Sequence, residues 1–357
     1  MPSDQASPVF EVIEGGPLTT VQDLGRMGHL HEGVPRSGAA DGLSLAVANA
    51  LAGNPADAAA LEVTVGGLHL RALRGVTVGL GGADLGAVVA PDPGRGEPAR
   101  RLAPGSSHSL HAGGEIAFEG RPTHGLGCRA YLALPGGFDV PDVLGSRSTS
   151  LVGGFGGFDG RALRAGDVLS AAGSVTGSTL ERPPTRLPAG LPLPSPAQRL
   201  RIIAVTDAEP GGSVAEQLAG HAWTVAGNSD RRGLRLLPAS GGGVAHARGA
   251  PRDSPGASLG GPEVAADRPS EPVIPGTIQV TPSGQPLVLM PDAGTTGGYA
   301  VAAVVIAADL PLLGQLAPWD EVRFRIVDLP AATEAARDRR RLRDAIAMAV
   351  GAAHRAN

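Results

Sequence analysis

The chain contains no lysine, and all 30 of its basic residues are arginine. That excludes a biotinyl-lysine, a Schiff-base lysine and a P-loop lysine, so any group carried on a lysine has to come from another polypeptide. Cysteine occurs once, at Cys128. A single thiol rules out an intrachain disulfide framework and fits a reducing, cytoplasmic setting. Aromatic residues make up 3% of the chain, so its cores have to be built from Val, Leu, Ile and Ala. With a net charge of −4 and no basic block outside the C-terminal segment, nucleic acid is not indicated as a partner. The polar N-terminus lacks a charged segment followed by an apolar one, so no signal peptide is expected. The longest apolar stretch, Val301–Leu316, is broken by Asp309 and Pro311 and reads as soluble core, not as a membrane span.

Turn formers are what the chain has in abundance. Gly 54 and Pro 32 together account for about a quarter of the 357 residues. They fall between short runs of alternating apolar residues, such as Leu61–Val65, Leu68–Leu73, Glu115–Phe118, Arg129–Leu134, Leu200–Val205 and Glu321–Val327. That pattern predicts a mainly β protein rich in turns, of sandwich or barrel type. The length suggests two domains. We place them at 1–180 and 199–330, joined by the proline-rich segment 181–198. The stretch 238–269 has no periodicity and reads as a mobile insertion. Residues 331–357 read as an Ala/Arg helical tail with Leu342, Ile346, Ala349 and Val350 on one face.

The stretch Val21–Asn54 concentrates the polar chemistry. Gln22, Asp23 and Arg26 surround Gly25. Arg26 offers a planar fork of donors suited to carboxylate or phosphate. Asp23 and Arg26 are either a structural pair closing a loop or part of a site. His29 and His31 are spaced for opposite sides of an extended segment, with no third ligand nearby, so no metal site is assigned. Asp41 is placed to cap a helix carrying Leu43, Val47, Ala50 and Leu51 on one face and ending at Gly53. Asn49 sits inside that helix, where asparagine is unfavourable unless it has a job.

Further polar clusters follow. Glu62 opens a strand and is either a buried, paired carboxylate or an edge residue. Gly145–Thr149 is a hydroxyl-rich loop with one arginine, Arg147. Gly153–Gly160 lacks both dinucleotide and P-loop patterns and reads as a turn, with an anion-binding nest of N–H groups as the alternative. Ser229, Asp230, Arg231 and Arg235 form a second cluster, either a site or a charged surface turn. Thr295–Tyr299 brings hydroxyls and backbone N–H groups together, and Asp309 is placed to cap a short turn.

Taken together, Thr20–Arg26, Gly33–Pro35, Ser37–Ala39 with Asp41, Ala48–Asn49, Gly53–Asn54, Gly145–Thr149, Gly156–Gly157, Gly160–Arg161, Gly166–Asp167, Ser229–Arg231, Pro275–Gln279 and Thr295–Tyr299 resemble, in order, the KipA-type family. That family is also called allophanate hydrolase subunit 2-like or biotin-dependent carboxyltransferase-like. The resemblance covers about Val12 to Val327. Arg232 stands where members usually carry Met, Trp319 where Gly is common, and 238–269 is longer than usual. The resemblance implies two cyclophilin-like β-barrel domains, with the Gln22–Arg26 loop facing the Ser229–Arg235 and Thr295–Tyr299 loops.

Many bacterial members of the family are the C subunit of an ATP-dependent 5-oxoprolinase, which hydrolyses 5-oxo-L-proline to L-glutamate. The implied partners are two further proteins, one KipI-like and one LamB/YcsF-like. ATP would be used by the complex, this chain carrying no nucleotide motif, and the chain on its own would be inactive. The implied catalytic residues are Arg26, Asp23, Asp41 and Asp230. Those implied for substrate binding are Gln22, Asn49, Arg147, Ser229, Arg231, Gln279, Thr295, Thr296 and Tyr299. Two alternatives remain. One is carboxyl transfer from carboxybiotin, held on another chain, to urea or a related amide. The other is a regulatory, KipI-binding role.

Overall fold

In the computed structural model, residues 7–91, 94, 96–122, 127–172, 180–188, 199–205, 213–239, 259 and 269–356 are described. Most of the expected 238–269 insertion and residues 189–198 of the proline-rich segment lie outside them. The chain divides into two compact units, one made of Met1–Ser195 with Asp338–Asn357 and the other of Pro196–Arg337.

In the first unit the strands are β1 (Ser7–Gly15), β2 (Leu18–Gln22), β3 (Ala60–Thr64), β4 (Leu68–Ala72), β5 (Val76–Gly82), β6 (Ala87–Val89), β7 (Arg100–Arg101), β8 (Ser106–Leu110), β9 (Glu115–Phe118), β10 (Arg129–Ala133) and β11 (Val168–Ala171). They form a six-stranded sheet in the order β11-β1-β4-β9-β6-β7 and a five-stranded sheet in the order β2-β3-β10-β5-β8. Residues of both sheets, among them Phe10, Val12, Leu70, Phe118, Val63, Val78 and Leu132, share one buried aliphatic core. Alternation along each strand sends these side chains to that face. The scarcity of aromatics is met by number and not by size.

Helix α1 (Gly42–Ala52) lies on the other face of the five-stranded sheet. It can come that close because β5 carries glycines there: a Cβ on Gly79 would sit 2.3 Å from Ala48 O, and one on Gly81 2.2 Å from Ser44 O. Apolar spacing along α1 marks one face, but two are buried. Leu45, Ala48 and Ala52 pack on the sheet. Leu43, Val47 and Leu51 pack against Ile346 and Val350 near the chain's C-terminus.

The start of the proline-rich segment is docked. Ser107 N–H donates to Thr185 O at 2.7 Å, Thr185 N–H to Ser107 Oγ at 2.7 Å, and Leu187 N–H to Gly105 O at 2.8 Å. An extended, proline-rich strand supplies partners for the edge strand β8, whose polar sequence gives little strand signal.

The second unit contains β12 (Arg199–Ala204), α2 (Val214–Gly220), β13 (Ala222–Val225), β14 (Gly233–Pro238), β15 (Glu271–Pro272), β16 (Thr277–Val280), β17 (Pro286–Leu289), β18 (Thr296–Gly297), β19 (Ala300–Val305), α3 (Leu310–Leu313) and β20 (Glu321–Ile326). Seven of these strands close a barrel in the order β12-β19-β16-β17-β14-β13-β20. Its ring is completed by parallel pairing of β12 with β20. Asp309 does not cap α3 with its side chain. Its carboxylate instead accepts the backbone N–H of Arg201 at 2.8 Å and the Arg201 guanidinium at 2.6 Å, because that cation stands on the neighbouring strand. The final helix, α4 (Leu329–Ala356), begins in this unit, where Ala332 is buried with Ile306 and Ala308. The chain is therefore mainly β with a few helices, as its sequence implies.

Candidate functional site

Strand β2 delivers the Gln22–Arg26 motif to the end of the five-stranded sheet. Asp23 follows it, buried, and its carboxylate is filled by local and distant donors. Oδ1 accepts Gly25 N–H at 2.8 Å, the Ser146 hydroxyl at 2.7 Å and the Ser148 hydroxyl. Oδ2 accepts Arg147 N–H at 2.6 Å. Arg26 is as deeply placed, at 1% exposure. It donates from Nε to Val143 O and from Nη2 to Ser148 O, both at 2.8 Å, and stacks 4.9 Å from the Phe155 ring centre. Both residues therefore grip Ser148, Asp23 by its hydroxyl and Arg26 by its carbonyl. Ser146 and Ser148 belong to the hydroxyl-rich loop that the sequence marks, where Arg147 alone is expected as a site residue, and Phe155 is a partner that no sequence signal singles out. The hydroxyls two residues apart in Ser146-Arg147-Ser148 are the available signal.

The glycine-rich Gly153–Gly160 segment closes over this arginine. A Cβ on Gly156 would lie 2.2 Å from Ser148 O and 2.8 Å from Arg26 Nη2. Gly154 and Phe155 N–H groups are spent on Ser150 O and Gly160 N–H on Gly156 O, so the segment is built as a turn. Gln22 is fully buried and donates from Nε2 to Thr20 Oγ1 at 3.0 Å and to Thr149 O at 3.3 Å. Its Oε1 is buried without a hydrogen-bond partner. Arg147 is exposed and donates from Nε to Val140 O at 3.2 Å.

The returning segment Arg36–Asp41 braces the motif. Arg26 N–H donates to Arg36 O at 2.7 Å and Ala39 N–H to Asp23 O at 2.8 Å. Beneath it, Glu62 is a buried, paired carboxylate. It accepts Ala40 N–H at 2.8 Å and the Tyr131 hydroxyl at 2.7 Å, and it lies 3.4 Å from Arg129 Nε. Tyr131 in turn accepts Asp41 N–H at 2.8 Å. Burial, followed by the Glu62 and Asp41 charges, pushes the Tyr131 phenol well above its ordinary range. Asp41 caps α1, accepting Leu43 N–H at 3.1 Å, Ser44 N–H at 2.9 Å and the Ser44 hydroxyl at 2.6 Å. The job of Asn49 is to clamp the chain after the helix, donating to Ala58 O at 2.8 Å and accepting from Asn54 at 3.1 Å.

His29 and His31 do not lie on an extended strand. His29 precedes a short 3-10 turn, Leu30–Glu32, and His31 lies within it; both approach Glu32, at 2.9 and 3.5 Å. Gly33, with φ of 79°, ends that turn in the left-handed region. Among the described residues, no group of three or more His, Cys, Asp or Glu is arranged to hold a metal ion.

In the second unit, the β13–β14 connection carries Ser229–Arg232. Ser229 Oγ accepts Arg235 N–H at 3.0 Å, and Asp230 accepts Arg232 N–H at 2.8 Å and its side chain at the surface. Arg231 points inward and forms a buried pair with Asp292 at 2.8 Å. Asp292 N–H also donates to Arg231 O at 3.0 Å. That link ties the turn to the segment that precedes Thr295–Tyr299. Gln279 on β16 lies under the same loop: a Cβ on Gly297 would sit 2.3 Å from its Nε2, which is buried without a hydrogen-bond partner. Thr296 and Tyr299 are exposed and Thr295 is half-buried.

The family model for the carboxyltransferase domain, subdomain A and B, matches residues 32–326. The chain belongs to this family. Within it, the chain is 33% identical to the C subunit of 5-oxoprolinase from Escherichia coli (strain K12), over 93% of this chain and 96% of that one. It is 32% identical to the urea amidolyase of Lachancea kluyveri, over 94% of this chain but 18% of that protein. Among solved structures, TTHA0988 is 35% identical with a TM-score of 0.71, covering 91% of this chain and 57% of that one. The Kluyveromyces lactis urea amidolyase superposes with a TM-score of 0.76 at 28% identity, covering 96% of this chain and 20% of that one. As a carboxyltransferase-domain protein, this chain thus has relatives of two kinds, a separate polypeptide of near-equal length and one section of a much longer enzyme.

Proposed function

We propose that this chain is the C subunit of an ATP-coupled 5-oxoprolinase, working with a KipI-like partner and a LamB/YcsF-like partner. The carrying observation is the near end-to-end match to the Escherichia coli protein of that name, in which both chains are covered over more than nine-tenths. In this reading the complex transfers the γ-phosphoryl group of ATP to the lactam oxygen of 5-oxo-L-proline, releasing ADP. Water then adds at that carbon and the ring C–N bond breaks, giving γ-glutamyl phosphate, and a second water hydrolyses this acyl phosphate to L-glutamate and phosphate. In this reading the nucleotide is bound by the partner proteins and this chain alone is inactive, a reading supported by its lack of lysine and of a P-loop.

Its own work is to recognise and polarise the amide. In the first unit the unpartnered Gln22 Oε1 is suited to accept an amide N–H; in the second, taken by itself, the unpartnered Gln279 Nε2 is suited to donate to a carbonyl oxygen. Exposed Arg147 is suited to developing negative charge. Asp23 and Arg26 hold the loop that presents Arg147, while Asp41 and Asn49 shape α1 and its exit. ADP release dependent on 5-oxo-L-proline, assayed with each protein left out in turn, tests this. Turnover needs all three, and turnover without this chain would refute the assignment.

The urea amidolyase match supports a second reading, carboxyl transfer from a biotin carried on another chain to urea. Its mark is ATP hydrolysis that depends on urea and on a biotinylated partner, and is indifferent to 5-oxo-L-proline.

A further inference from the structure

Arg36 differs from its neighbours in the first unit. The guanidinium groups of Arg71 and Arg161 sit against Glu115 and Asp167, which raise their pKa. Arg36 is held below the ordinary arginine range by burial, and among the described residues no carboxylate pairs with it. Its guanidinium donates from Nη2 to Leu24 O at 3.3 Å, and the side chain stays partly exposed. A partly desolvated cation without a counter-ion is costly, and a fold retains one where an anion is to be met.

The backbone fixes Arg36 in place. A Cβ on Gly25 would lie 3.1 Å from Arg36 Cγ and 2.8 Å from Ser37 O, and one on Gly38 would lie 2.6 Å from Gly25 Cα. The two segments therefore cross backbone to backbone, which only glycines at both positions permit. Ser37, next to Arg36, has φ of 50°. That is a left-handed conformation unusual for serine. Its hydroxyl is buried without a hydrogen-bond partner. The same Asp23 that precedes this crossing also holds the backbone N–H of exposed Arg147.

We propose that Arg36 is an oxyanion-binding residue of the Asp23 turn, taking a carboxylate or phosphoryl group of a small ligand. A planar fork of N–H donors suits either group. The assignment rests on the reading of this turn as part of the substrate site and extends it with a residue outside the motif set.

The test is isothermal titration calorimetry on the full chain at low ionic strength. The probes are inorganic phosphate, 5-oxo-L-proline and the uncharged amide of 5-oxo-L-proline. Wild type is expected to bind at least one of the two anions and not the amide, with affinity falling as salt rises. R36Q should bind at least about ten-fold more weakly, and R36K should recover part of the loss by restoring the charge. Thermal unfolding shows whether each variant is folded. Binding of phosphate alone identifies the phosphoryl group as the ligand, and binding of 5-oxo-L-proline alone identifies the carboxylate. The assignment is overturned if wild type binds neither anion, or if folded R36Q binds as tightly as wild type. The functional reading fails separately: an assembled complex without 5-oxo-L-proline turnover would sink that reading, while Arg36-dependent phosphate binding would still stand.

Discussion

Asp23 Oδ2 accepts the backbone N–H of Arg147 at 2.6 Å, across 124 residues of sequence. With the hydroxyls of Ser146 and Ser148 on Oδ1, this bond makes the loop around Arg147 a fixed part of the β2 terminus. Asp23→Asn leaves buried donors unmatched. The variant should lose about 2 kcal/mol in urea unfolding, and turnover of the assembled complex should fall at least about ten-fold. Unchanged stability would mean that the carboxylate is not the clamp described.

Gly156 makes room for Arg26. Its φ is 71°, and a side chain there would collide with Ser148 O. Gly156→Ala should therefore destabilise the first unit by about 2 kcal/mol or more, since strain and steric conflict add. Gly154, at which a Cβ would meet nothing within 4 Å, is the control. Its alanine variant should cost only the smaller penalty of positive φ, about 1 kcal/mol. Equal losses at the two positions would argue against a packed Arg26.

Tyr131 predicts a pH dependence. Its phenol pKa is raised well above 10.0, chiefly by burial, so the unfolded chain gives up this proton at lower pH than the folded one. The stabilising contribution is complete below about pH 10 and is lost as pH rises toward the folded value, by up to about 1.4 kcal/mol per pH unit. Tyr131→Phe should lose about 1–3 kcal/mol near neutrality, because Glu62 and Asp41 N–H lose a partner. The gap between the two proteins should then narrow above about pH 10. A gap that stays constant to about pH 11 would contradict the buried phenol–carboxylate pair.

Gln279 separates function from stability. Its unpartnered, buried Nε2 is a cost to the fold. Gln279→Met should leave thermal stability unchanged or raise it by about 1 kcal/mol, while complex turnover falls at least about ten-fold. Full turnover in a stable Gln279→Met variant would remove this residue from substrate recognition.

How much of this was legible depended on whether a signal was local. The polar runs at Gln22–Arg26 and Gly145–Thr149 stand out along the chain, and so does the cap–helix–glycine order from Asp41 to Gly53. Their convergence does not, because Asp23 lies 123 and 125 residues from its partners Ser146 and Ser148. Arg231 reads as one charge in a surface cluster. Its buried partner Asp292 lies 61 residues away, beyond any spacing rule. Strand β8 hides behind a polar sequence whose residues are buried beneath the docked Thr185 segment. The two-sided burial of α1 is invisible for a related reason: the second face is covered by a helix from the other end of the chain.

The central claim is tested most directly by L-glutamate formation from 5-oxo-L-proline and ATP in a reconstituted mixture of this chain with its KipI-like and LamB/YcsF-like partners. The account predicts steady glutamate release that vanishes when this chain is withheld and is strongly reduced when Asp23→Asn replaces it. Glutamate release undiminished without this chain, or a stable three-protein complex that forms none, would contradict it.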